Sequence, residues 1–269
     1  MNQTRTLTNY DRQAAQYDQY RRPSPILLGY LVESFHSANK PILSFGCGTC
    51  RMECELAKHY QVIGMDLSAG MLTQACERLD NLVQGDMTKM PYKDGCASGA
   101  YFMQSLHHIG ANRSIHDEER KKARNEALKE AIRVLDRGPV IIIQRDPTQN
   151  QAVWFWKYFP KALETKLMIQ PKVSEIVSWL NTMGLSKVEA IPIDDPIAKG
   201  FYDLEAPLDP RFRSSFSEFS YLSEEDIREG VENLSKSIQD GSAQEDIILC
   251  RNRFKEIGGT VHFIKGEKL

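Results

Sequence analysis

Short apolar segments alternate with amphipathic helical ones along the first half of the chain, and this alternation limits the fold more than any other feature. Residues 41–45, 61–66, 81–86, 99–103 and 140–143 read as strands. Between them lie helical segments at 52–58, 69–79 and 117–135. The last turns Ala127, Leu128, Ala131, Ile132 and Leu135 to one side, the spacing of a helix packed on one face. The run Val140-Ile141-Ile142-Ile143 is continuous and β-branched, which suits a strand buried on both faces of a sheet. Strands alternating with helices predict a doubly wound parallel α/β sheet.

Two helices are expected ahead of the first strand. One covers 10–22 and closes at Arg22-Pro23, because the residue before a proline leaves the helical region. The other covers 25–35, with Ile26, Leu27, Tyr30, Leu31 and Val32 as its apolar face. After Gln144 the alternation stops. Residues 147–180 are rich in aromatics, 187–191 read as a strand, 196–257 as a polar and largely helical stretch, and 259–264 as a last strand. The expected organisation is one domain over 1–269: N-terminal lid helices (1–40), a ligand-binding core (41–146) and a C-terminal part (147–269). In the last of these, 196–257 folds as a cap over the ligand edge of the sheet.

Ligands of open parallel sheets bind beyond the carboxyl ends of the strands. The turn Ser44-Phe45-Gly46-Cys47-Gly48-Thr49-Cys50 falls at such an end, and its glycines let ligand atoms approach the backbone. Asp66 stands 18 residues after Gly48, near the spacing expected of an acid that binds ribose hydroxyls. A dinucleotide fingerprint would need glycine where Arg51 stands, and no phosphate-loop Gly-Lys-Ser/Thr follows. Cys47, Cys50 and Cys54 invite a metal reading, but no second Cys or His pair follows at zinc-site spacing. A nucleotide turn explains the interleaved glycines better, so no metal is expected.

The formal net charge of −2 and pI of about 6.3 give no global reason to expect nucleic acid or an anionic membrane as partner. No apolar run approaches the roughly 20 residues of a membrane span. Residues 1–18 lack the apolar core of a signal peptide, so cytoplasmic residence is the default expectation. The run 118–124, rich in Glu, Arg and Lys, reads as a solvated helix face.

The glycine turn resembles the first motif of class I S-adenosylmethionine (SAM)-dependent methyltransferases, and further segments resemble the later motifs in order. These are Gly64-Met65-Asp66-Leu67-Ser68 with Met71-Leu72, then Gln84-Gly85-Asp86-Met87, then residues 102–109 with Gln104 and His107-His108, and finally 131–138. The resemblance covers roughly residues 10–145 and implies a seven-stranded Rossmann-like sheet with SAM as cofactor. It implies that Gly46, Cys47 and Gly48 hold the amino-acid part of SAM, that Asp66 binds the ribose, and that Leu67 and Met71 pack on the adenine. Asp86 and the Met87 amide would meet the adenine edge, and Gln104 the methionine part. Tyr17 and Arg21 would close over the cofactor as lid residues. Ser44 departs from the family by replacing an acid, and Cys50 by replacing a glycine.

His107 and His108 follow the fourth strand, where acceptors bind in this family, and a neutral imidazole can act as general base near pH 7. Trp154, Phe155, Trp156, Tyr158 and Phe159, like Tyr202, Phe212, Phe216, Phe219 and Tyr221, either wall an acceptor pocket or pack the cap. The expected activity is methyl transfer to an O, N or S atom of a small-molecule acceptor. A tRNA-modifying methyltransferase and a SAM-binding protein or cyclase without methyl transfer remain as alternatives. The sequence leaves the oligomeric state open.

Overall fold

The structure is a computed structural model and describes residues 20–111, 116–196 and 200–269. The helix expected at 10–22 falls largely outside them, and residues 21–24 are not helical.

Seven strands form one sheet in the order β3-β2-β1-β4-β5-β7-β6. They are β1 (Ile42–Phe45), β2 (Val62–Asp66), β3 (Leu82–Gln84), β4 (Gly99–Met103), β5 (Gly138–Gln144), β6 (Ser186–Ile193) and β7 (Val261–Lys268). The first five pair in parallel, as the alternation predicts. β7 is the exception: it runs antiparallel between β5 and β6, with Gln144 opposite His262 and Ile193 opposite Val261. The sheet is therefore mixed at one edge, and the strand order reverses between β1 and β4, the place where doubly wound sheets bind ligands.

Helices cover both faces. On one lie α1 (Pro25–Ser34), α2 (Arg51–Leu56) and α3 (Ala69–Ala75), and on the other α4 (Asp117–Val134) and α7 (Val173–Thr182). The β5 run shows why so apolar a strand is needed. Val140 and Ile142 pack with Leu128 and Ile176, while Ile141 and Ile143 pack with Leu27, Leu31 and Phe263. Successive residues of a strand point to opposite faces, so a strand covered twice must be apolar throughout. The apolar face expected of the 25–35 helix narrows to Leu27, Leu31 and Phe35, because Ile26 is half exposed.

A second core lies in the cap. After α5 (Pro147–Gln151), it is formed by the turn Trp154–Tyr158, α6 (Pro160–Ile169), α8 (Pro210–Ser214), the turn Ser217–Tyr221, α9 (Glu224–Gln239) and α10 (Ser242–Glu256). Phe155 is fully buried and sits edge-on to Trp156, Phe201, Phe212 and Phe216. Such pairs add about 0.5–1.5 kcal/mol each beyond burial. The cap core thus draws on residues from 152 onward, earlier than the 196–257 boundary that polarity alone suggests.

Among the described residues no helix is long and apolar enough to cross a membrane.

Candidate active site

The turn after β1 is built by its glycines and by Asp66. Gly46 and Gly48 have φ of +74° and +56°, backbone that glycine adopts without strain. A Cβ on Gly46 would lie 2.4 Å from Cβ of Ser105, so the chain ahead of the histidine turn packs directly on it. A Cβ on Gly48 would meet nothing within 4 Å, leaving open space beside the turn. The Asp66 carboxylate accepts hydrogen bonds from the Gly48 amide at 2.8 Å and the Ser68 amide at 2.9 Å. It therefore clamps the turn.

The two departures from the family pattern have structural explanations. Ser44 donates to Glu53 Oε1 at 2.6 Å, and the Tyr101 hydroxyl donates to the same oxygen at 2.9 Å. A buried acid is thus present beneath the turn, supplied by α2 instead of β1. Burial raises the Glu53 carboxyl above its usual range, with the Ser44 hydrogen bond opposing. Cys50 caps α2 at φ +57°, a left-handed conformation that a glycine would adopt without strain. Its sulfur and that of Cys47 pack on Gly64, where a Cβ would lie 3.1 and 2.9 Å from them. The Cys50 hydrogen bond, then burial, push the Cys47 thiol well up, so it is a neutral packing group at pH 7. Among the described residues no group of three or more His, Cys, Asp or Glu is placed to hold a metal ion.

The other expected cofactor residues lie along the same sheet edge. Leu67 is exposed, whereas Met71 is buried in α3 and offers little surface to a ligand. Asp86 Oδ1 accepts from the Thr88 amide and hydroxyl, both at 2.8 Å. Met87, in the segment after β3, approaches Gly46. Gln104 ends β4 at φ +53°, a strained conformation for a residue with a side chain, and such strain gathers at functional sites. Its amide donates to the Ile143 carbonyl at 2.8 Å, while its buried Nε2 has no partner. Arg21 donates to the Ser215 carbonyl through Nε and Nη2 and lies 5.2 Å from the Phe216 ring centroid. Tyr17 lies outside the described residues.

A cavity opens between this edge and the cap. Gln104, His107 and His108 line one side, and Trp156, Lys166, Phe216 and Glu218 the other; Arg21 and Arg145 also contribute. Of the aromatics that could wall a pocket, Trp156 and Phe216 line this cavity, while Trp154, Phe155, Tyr158, Phe159, Tyr202, Phe212 and Phe219 pack the cap core.

The histidines sit in a short turn, Leu106–His108, with ring centroids 4.0 Å apart. His107 Nε2 lies 3.1 Å from Lys166 Nζ, so it accepts from the ammonium and the ring proton sits on Nδ1, which has no partner. Arg124 ties the turn to the end of α6 by donating to the His107 and Ile169 carbonyls. Burial, then His108 and Lys166, hold His107 well below the usual imidazole range. Burial, then Lys166, push His108 down to about 3, with Glu218 opposing. Both rings are neutral at pH 7 and weakly basic. Lys166 and Glu218 form a buried pair at 2.7 Å. Burial lowers the lysine; burial would raise the glutamate, but Lys166 outweighs it and the net shift is downward.

Arg145, Lys166 and Glu218 were not anticipated from the sequence. The available signal was a charge directly after the most apolar strand, and a lysine among the apolar residues of a helix.

Comparison with known proteins agrees with this geometry. Residues 43–143 match the family model of a methyltransferase domain. Among solved structures, a protein described as a methyltransferase from an antibiotic biosynthesis pathway of Anabaena variabilis superposes with a TM-score of 0.72 at 20% identity, covering 94% of this chain and 100% of that one. A SAM-dependent methyltransferase of Thermotoga maritima gives a TM-score of 0.56 at 16% identity, with coverages of 97% and 98%. The [4+2]-cyclase SpnF gives 0.50 at 14% identity, with coverages of 96% and 90%. No curated protein matches the chain in sequence. The fold is thus that of the class I methyltransferases. The likeness to a methyltransferase domain in sequence is confined to residues 43–143.

Proposed function

We propose that the chain transfers the SAM methyl group to an O, N or S atom of a small-molecule acceptor seated in the cavity beneath the cap. The observation that carries this reading is the position of that cavity. It begins at Gln104, at the switch point of the sheet, and is closed by Trp156, Phe216 and Glu218 from the cap. A site roofed by the cap suits a compact acceptor better than a tRNA.

In this reading the open space beside Gly48 and the unpartnered Gln104 Nε2 fit the amino-acid part of SAM. Gly46, Cys47 and Gly48 hold it through the backbone, and Arg21, with Tyr17, closes on it. Asp66 takes the ribose, Leu67 and Met71 lie toward the adenine, and Asp86 and the Met87 amide meet its edge. When bound, SAM supplies a methyl carbon already made electrophilic by the sulfonium, so the protein's work is alignment and exclusion of water. His107 and His108, as weak bases, orient the acceptor through hydrogen bonds and take a proton only from an acidic one.

The test is incubation of the purified protein with methyl-labelled SAM and, separately, a low-mass metabolite extract and total tRNA. Label in a low-mass product supports the proposal, and label confined to tRNA refutes it. SAM binding without transfer to either would move the assignment to a SAM-binding protein or cyclase.

A further inference from the structure

Arg145 follows β5 directly, is only 8% exposed, and lines the cavity. Its Nε donates to the Thr260 carbonyl at 3.1 Å and its guanidinium lies 5.1 Å from the Phe201 ring centroid. Among the described residues no carboxylate forms an ion pair with it, whereas the neighbouring Lys166 is matched by Glu218. A buried guanidinium without a counter-ion is costly, by several kcal/mol of desolvation. Folds keep such a group where something else supplies the negative charge.

We propose that the cavity takes a small organic carboxylate, held through its carboxylate by Arg145. This deepens the acceptor reading above and rests on it. The planar guanidinium matches a carboxylate with two parallel hydrogen bonds. Trp156, also lining the cavity, has a buried Nε1 with no partner. It is a donor, and a carboxylate offers about four acceptor sites and no proton. With Lys166 matched and Arg21 given to the amino-acid part of SAM, Arg145 is the cation that remains among the described residues lining the cavity, which fits a monoanion and leaves a phosphate dianion over-charged. The Trp156 and Phe216 rings supply an apolar wall for an aryl or alkyl body.

The experiment is isothermal titration of the full chain, with and without saturating S-adenosylhomocysteine (SAH). The probes are benzoate, phenylacetate and hexanoate, each beside its neutral amide, with phenyl phosphate as a further arm. At least one acid should bind ten-fold or more tightly than its amide. Arg145→Gln should erase that preference while SAH affinity stays unchanged. Should Arg145→Gln fail to fold, Arg145→Lys must weaken acid binding and spare amide binding. The proposal is overturned if no acid outbinds its amide, if the preference survives the substitution, or if phenyl phosphate outbinds every acid. Loss of SAH affinity in Arg145→Gln would overturn it too, by assigning Arg145 to the cofactor. Selective acid binding by a chain that does not bind SAH would instead sink the methyl-transfer reading and leave the carboxylate site standing.

Discussion

Two glycines of one turn should fail in opposite ways. Gly46 has φ +74°, and a Cβ there would lie 2.4 Å from Cβ and 3.0 Å from Oγ of Ser105. Left-handed backbone costs an alanine about 1–2 kcal/mol. Carbon atoms prefer about 3.5–4.0 Å, so the overlap with Ser105 exceeds an ångström. Ser105 cannot give way freely, since its hydroxyl donates to the Phe45 carbonyl. Overpacking of this kind adds about 1–3 kcal/mol, so Gly46→Ala should lose about 2–5 kcal/mol of a folding stability typically near 5–15. Gly48 has φ +56° and open space around a Cβ, so Gly48→Ala should lose only the backbone part, about 1–2 kcal/mol. Its methyl group would instead enter the space proposed for SAM, and affinity should fall about ten-fold or more, about 1.4 kcal/mol. Urea unfolding at unchanged m-value reads the first effect, and titration with SAH the second. Gly46→Ala within about 1 kcal/mol of wild type, or Gly48→Ala with full affinity, would refute the reasoning.

Three further outcomes are expected. The Glu53 carboxyl is raised by burial, so its contribution is fully present below its ordinary pKa and lost as pH rises through the folded value. Glu53→Gln, which keeps an oxygen for Ser44 and Tyr101, should therefore gain on wild type as pH goes from 5 to 8; thermal melts showing the reverse would count against the buried-acid account. His108 is depressed to about 3 by burial, so its contribution is present above its ordinary pKa of 6.5 and lost as pH falls toward 3. His108→Gln should flatten the loss of Tm between pH 7.5 and 5, and a variant as acid-sensitive as wild type would show that the ring is not desolvated. Phe155→Ala empties the centre of the cap core, at a cost of about 3–5 kcal/mol. It should raise proteolysis within 147–257 more than in the sheet, and uniform cleavage would deny the cap a core of its own.

Much of the fold was legible because its signals are local. The β1 turn, Asp66 and Gln104 each follow a short apolar strand, and a strand's period of two and a helix's of 3.6 are properties of neighbouring residues. The boundaries blurred where periodicity fades, as in β7, which extends to Lys268 beyond the apolar run ending at Ile264. The sequence likewise showed a departure at Ser44 but not its compensation, because Glu53 meets Ser44 and Tyr101 only once α2 lies against β1 and β4.

By itself, then, the sequence determined the parallel half of the sheet, the glycine turn and the order of strand-end residues, all encoded over a few residues at a time. Only the tertiary structure decided that β7 inserts antiparallel between β5 and β6, pairings that join segments far apart in the chain. It also decided the chemistry of the cavity. Gln104, His107, Arg145, Lys166 and Glu218 come from the sheet edge and the cap, and their charges act on one another only after burial has removed the water between them.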